Sequence, residues 1–138
     1  MNKDKLKVAI YCRVGTAEQL ETNIQESKIQ NYCKQKGYEI FKSYIDNGYS
    51  ANDKTRPGYN LMLEDLKQKR FDMIITNDIS RLCRSTSNLE DFVNLIKRHN
   101  CNLTILNENI DTSTAVGKLF IRMLTIFNNE TRRVLTNE

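Results

Sequence analysis

Four arginines, Arg13, Arg56, Arg81 and Arg84, stand just past short apolar runs in three separate stretches of the chain. A guanidinium keeps its charge at physiological pH and offers a planar fork of N–H donors. Several brought into one cleft therefore form a receptor for an oxyanion, above all a phosphate gaining charge during displacement at phosphorus. Guanidiniums so close repel one another unless an anion or a carboxylate joins them, and Asp46 is available as the organiser. The first stretch reads Tyr11-Cys12-Arg13-Val14-Gly15-Thr16-Ala17-Glu18-Gln19 and leaves the apolar run Leu6 to Tyr11. A strand, loop and helix in that order put its polar groups at a strand's carboxyl end, where open α/β sheets place their sites. A Gly-rich nucleotide cradle needs several glycines at fixed offsets, and this stretch has Gly15 alone.

The elements that must position these groups alternate. Lys7 to Tyr11 has the pattern of a short buried strand, and Gln25 to Lys36 follows as a helix with Ile24, Ile29 and Tyr32-Cys33 at helical spacing, ended by Gly37. Tyr38 to Ile45 is a second strand. It leads into a polar loop, Asp46 to Arg56, and Pro57 begins a helix presenting Leu61, Met62 or Leu63, and Leu66. Phe71 to Thr76 is the third strand and Asn77 to Thr86 a loop with two arginines. Ser87-Asn88-Leu89-Glu90 reads as a capping box for a helix with Leu89, Phe92-Val93 and Ile96 inward. Leu103 to Leu106 is a fourth strand and Asn107 to Ser113 a polar connector. Strands alternating with helices predict an α/β domain spanning 1–138, with a mostly parallel sheet of four to five strands covered on both faces.

The last helix differs from the others. From about Thr114, Val116, Leu119-Phe120, Met123-Leu124 and Phe127 form a wide apolar stripe, and the helix runs through Arg132 and Arg133 with no stop signal. At 1.5 Å per residue it reaches about 30 Å, more than a compact sheet needs for cover. It reads either as a core helix with a frayed end or as a helix that leaves the domain to meet another chain.

Composition narrows the classes. Lys and Arg outnumber Asp and Glu by 21 to 17, a net +4 that suits a polyanionic partner without demanding one. Cys12, Cys33, Cys83 and Cys101 form no C-x-x-C and the chain has one histidine, His99, so no zinc-ligand spacing exists and no metal is expected. Free, buried thiols fit a reducing cytoplasm. Met1 to Lys5 has no apolar signal core and no apolar run approaches a membrane span, so a cytosolic protein with no membrane contact is expected.

The order of these residues resembles a known family. Tyr11-x-Arg13-Val14, then Thr16 and Gln19, is similar to the opening motif of the serine site-specific recombinases, the resolvases, invertases and large serine integrases. The resemblance covers essentially the whole chain. It implies an active site of Tyr11, Arg13, Gln19, Gln25, Asp46, Ser50, Arg56, Asp78, Arg81 and Arg84, and a dimerising helix from about Thr114 whose Arg132 and Arg133 meet DNA. The Arg56-Pro57 pair favours the large integrases over the small resolvases. Ser80 stands where the family often has aspartate, in a variant that transposon-type members share; Asp78 either supplies the missing carboxylate or caps the turn. Asn129 lies near the place of a second arginine on the family's long helix.

Gly15 is the serious departure, because the family's nucleophilic serine belongs there. In a competent relative that serine attacks a DNA phosphate to give a 5′-phosphoserine link and a free 3′-hydroxyl, without metal, nucleotide or other cofactor. A homodimer becomes a tetramer when two DNA duplexes are brought together. Losing a nucleophile costs about 10⁶ in rate, so the chain as written is expected not to cleave DNA. Thr16 is expected to point to the other side of the backbone. Gly15 fits a laboratory substitution, a degenerate copy from a mobile element, or a paralogue that only dimerises and binds double-stranded DNA. An intact arginine cluster favours an inactive recombinase over that paralogue, since an unused cluster has no evident reason to stay assembled. The DNA-recognition domains of large integrases have no room before Glu138, so a fragment is expected.

Overall fold

Residues 5–16 and 19–136 are described by the structure, a computed structural model. Val8 to Val14 is buried on both faces, which is why it reads as an apolar run instead of an alternating one. It belongs to β1 (Lys7–Val14), followed by α1 (Gln19–Lys36), β2 (Glu39–Asn47), α2 (Pro57–Lys67), β3 (Met73–Thr76), α3 (Ile79–Leu82), α4 (Thr86–Arg98), β4 (Asn102–Ile105), β5 (Ile110–Asp111) and α5 (Ala115–Thr136). The sheet has the order β2-β1-β3-β4-β5. All pairings are parallel except β4 with β5. The expected mostly parallel α/β sheet is present, with five strands.

Each sheet face carries its own core. Val8, Ile10, Cys12, Met73 and Ile75 pack with Ile29 and Cys33 of α1 on one side. On the other, Ala9, Tyr11, Ile74, Leu103 and Ile105 pack with Met62, Leu66, Leu89, Phe92, Ile96 and Ile121 of α2, α4 and α5. Fully burying one such side chain contributes about 1.5–3 kcal/mol, so this two-sided cover holds β1 and β3 in place. From β1 the chain crosses to β2 on one side, then returns past β1 to β3 on the other. The loops leaving β1 and β3 therefore diverge and open a crevice at their carboxyl ends.

Several boundaries differ from the sequence reading, each for a physical reason. β1 continues three residues past Tyr11, so Arg13 lies on the strand and not in the first loop. β3 pairs with β1 only as far as Ile10. Beyond it, the Gln25 side chain replaces the missing strand: its Oε1 accepts from Arg13 N at 3.2 Å and its Nε2 donates to Arg13 O at 3.2 Å. α1 begins at Gln19, and its inward face is Thr22, Gln25, Ile29 and Cys33, while Ile24 points out, 55% exposed. Asp46 lies on β2 in register with Arg13, not in the loop.

The cap of α4 is Ser85, whose Oγ accepts from Asn88 N at 3.2 Å, displacing the capping box expected at Ser87. The polar connector holds β5, reached through Asn109 in the left-handed region (φ 55) that asparagine tolerates. Thr114 starts α5, its Oγ1 accepting from Gly117 N at 3.0 Å. The apolar residues of α5 divide between two faces. Phe120, Ile121 and Leu124 pack on the core, while Val116, Leu119, Met123 and Ile126 remain 56–76% exposed. Among the described residues, no helix is long and apolar enough to cross a membrane.

Candidate functional site

Asp46 is the hub beneath the crevice. Its buried carboxylate accepts from Tyr11 Oη at 2.7 Å, Gly58 N at 2.7 Å and Tyr59 N at 2.9 Å. The last two are unpaired N–H groups of the first turn of α2, where a carboxylate also meets the positive end of the helix dipole. Arg56, at the start of α2, has no side-chain cap to offer, so Asp46 supplies one from the sheet. Tyr11 Oη in turn accepts from Arg56 Nη1 at 3.1 Å. Burial pushes the Tyr11 phenol far above its ordinary value, with Arg56 opposing, so the hydroxyl stays a donor to Asp46.

The arginines divide into two kinds. Arg56 is 4% exposed, lies 3.9 Å over the Tyr59 ring, and donates to the carbonyls of Asp53, Arg81 and Leu82 at 3.1–3.3 Å. Arg13 donates to the carbonyls of Arg81, Tyr49 and Ser80 at 3.1, 2.6 and 2.8 Å, and burial lowers its pKa. Arg81 donates to Arg13 O at 3.1 Å, to Asp78 Oδ2 at 3.3 Å and to Glu21 Oε1 at 3.2 Å. These three tie the loops after β1, β2 and β3 together through main-chain oxygens. Arg84 is exposed, and no described residue pairs with its guanidinium.

A cleft of about 370 Å³ lies above this brace, lined by Arg13, Gly15, Ser50, Ala51, Ser80, Cys83 and Arg84. Arg13 and Arg84 line the cleft, and Arg56 and Arg81 are tied to it through the Arg81 and Arg13 carbonyls. Asp46 touches no guanidinium directly; it acts through Tyr11. The cluster also has a reason to persist without chemistry, because removing Arg13 or Arg56 would take donors from main-chain carbonyls of the loops after β2 and β3. Asp78 occupies the cap position of α3 without a side-chain cap bond; its carboxylate meets Ser80 Oγ and Arg81 Nε instead.

Gly15 has no steric reason to be glycine. A Cβ built there meets only Arg13 Nη1, at 4.0 Å, and its φ lies outside the left-handed region. The Gln19 side chain and those of Asn129, Arg132 and Arg133 lie outside the described residues; the backbones of the latter three belong to α5. Sequence reasoning missed Glu21, the ion-pair partner of Arg81, whose signal was an acid in the first turn of α1. It also missed Asn77, buried at the end of β3 with both amide atoms unpartnered. Cys83 borders the cleft, but burial raises its thiol to about 12, leaving it protonated. Among the described residues, no group of three His, Cys, Asp or Glu side chains could hold a metal ion.

A doubly covered sheet of order 2-1-3-4-5, with an arginine-braced cleft at its switch point, is the framework of a serine recombinase catalytic domain. The chain belongs to that family: residues 8–138 match the family model described as Resolvase, N terminal domain. It is similar to the N-terminal catalytic domain of TP901-1 integrase, at 32% identity and a TM-score of 0.88 over 93% of this chain and 98% of that one. A resolvase family site-specific recombinase from Streptococcus pneumoniae aligns at 27% identity and a TM-score of 0.81, over 96% of this chain and 91% of the other. A putative DNA recombinase of Bacillus subtilis is 30% identical over 84% of this chain, which spans 23% of that protein's length.

Proposed function

We propose that this chain is the catalytic domain of a site-specific DNA recombinase whose nucleophile position is held by Gly15, so that it binds double-stranded DNA but does not form a phosphoserine link. The observation that carries this reading is the cleft itself. Arg13, Arg84, Ser50 and Ser80 line the cleft with Gly15, and a Cβ at that position would meet no described atom closer than 4.0 Å and no backbone strain. A scissile phosphate in the cleft would take its charge-assisted hydrogen bonds first from Arg84, the exposed guanidinium without a partner among the described residues. Arg56, Arg81, Asp46 and Gln25 act as positioning residues, and Tyr11 joins Asp46 to Arg56. The exposed stripe of α5 is the face for a second copy, giving a dimer and, when two duplexes are brought together, a tetramer.

The test is a denaturing gel for covalent protein–DNA adducts, comparing the full-length parent protein with its Gly15→Ser form on DNA from the ends of its own element. Adducts with serine alone are expected. Absence of adducts with both forms, on DNA that both bind, would replace this reading by a second: a paralogue that dimerises and binds DNA without catalysis. One observation favours that rival, namely that each guanidinium nitrogen of Arg13 and Arg56 already donates to an oxygen of the protein.

A further inference from the structure

On the face of the sheet that carries α4 and α5, away from the arginine cleft, these helices border a second pocket of about 330 Å³. Its floor includes Val93, Cys101 and Ile121, each less than a tenth exposed. Burial raises the Cys101 thiol to about 12, so the floor carries no thiolate at neutral pH. Lys97 of α4 and Lys118 and Arg122 of α5 are exposed at its rim, and no lining residue is acidic. None of the three has a side-chain hydrogen bond or ion pair among the described residues.

This arrangement costs free energy as it stands. Lys118 and Arg122 are four apart on one helix, a like-charge spacing that destabilises it. Lys118 also sits in the first turn of α5, which has no acidic residue, where the helix dipole disfavours a cation. Lys97 adds a third charge across the pocket. The one ordinary explanation applies to Lys97 alone, whose place in the last turn of α4 the dipole favours.

We propose that the pocket binds a small organic anion with an apolar body, a carboxylate, sulfonate or phosphate monoester whose charged group meets Lys97, Lys118 and Arg122. The volume is at the lower end of small-ligand sites, about 300–1,000 Å³, and suits a body of one or two rings. The buried floor takes the apolar part. Because the cations come from both helices, a bound anion ties α5 to α4 and steadies the start of α5. This site is independent of the Gly15 cleft and of the reading proposed for it.

The experiment is an amide-resolved NMR titration of the chain with 2-naphthoate, with the neutral 2-naphthalenemethanol and with inorganic phosphate. Saturable shifts centred on Val93, Thr112 and Ile121 are expected with naphthoate, with at least about tenfold weaker binding of the alcohol and of phosphate. Lys97→Gln combined with Arg122→Gln, both exposed and so leaving the fold intact, is expected to weaken naphthoate by about tenfold or more. Equal binding of alcohol and naphthoate would overturn the charge requirement. Equal binding of phosphate would overturn the apolar one. Absence of saturable shifts, or shifts centred on the Val116, Leu119 and Met123 stripe, would overturn the site.

Discussion

Gln25 does the work of a strand with one side chain, and its removal tests how the site is built. In Gln25→Ala the N–H of Arg13 loses its partner while its C=O keeps Arg81 Nη1 at 3.1 Å, at a place where Arg13 and Gln25 are only 8% and 5% exposed. A buried backbone group left unpaired costs about 1–3 kcal/mol, and that is the stability loss expected here. For a chain of this length each kcal/mol lowers Tm by roughly 2–4 °C or somewhat more, which makes a fall of about 3–12 °C. Gln25→Met separates hydrogen bonding from volume, since it fills the space and can neither donate nor accept as the amide does. Urea unfolding gives the loss for each variant, and amide exchange at Arg13 reports the local event, with protection falling about 30-fold for a 2 kcal/mol opening. Recovery of the parental stability by Gln25→Met within about 0.5 kcal/mol would mean that packing alone accounts for the residue.

Glycines provide a paired test: Gly15→Ser should change stability by less than about 0.5 kcal/mol, as an unconstrained exposed site does. Gly117→Ala, whose Cβ would sit 1.9 Å from Asp111 O, should cost about 3 kcal/mol or more and disturb the start of α5, measured by urea unfolding. Alkali should unfold the protein. Cys12, Cys33, Cys83 and Cys101 have thiols raised by burial from 9.0 to between about 11 and 12, so the folded state holds their protons more tightly. That stability is fully present below about pH 9 and lost as pH rises toward about 12; a urea midpoint flat from pH 8 to 11 would contradict it. Leu119→Glu with Met123→Glu should abolish self-association in sedimentation without lowering Tm, since both side chains are exposed in the single chain.

Much of the fold was legible because local pattern and final environment agree. Pro57 opens a helix as read, Gly37 closes one with φ 75, and the doubly buried strands read as unbroken apolar runs. The misreadings fall where a side chain substitutes for backbone. Gln25 extends β1, Asp46 caps α2 from the sheet, and Ser85 caps α4 two residues before the box that sequence favoured. In each case the donor and acceptor types were visible, but their partners lie 12 or 13 residues away along the chain, or compete with an equally good local motif.

What the sequence determined alone is the order of elements and the residue types gathered at strand ends: three arginine-bearing loops, a lone glycine at the first, and an apolar helix at the end. Those follow from periodicity, turn chemistry and charge, which are properties of neighbouring residues. Only the tertiary structure decided which arginines face the cleft and which brace it. A guanidinium's role depends on which oxygens from other loops reach it: Arg13, Arg56 and Arg81 are held by main-chain carbonyls, while Arg84 has no partner among the described residues. It likewise decided that α5 has two apolar faces, because one stripe is covered by the sheet's core and the other by no described residue.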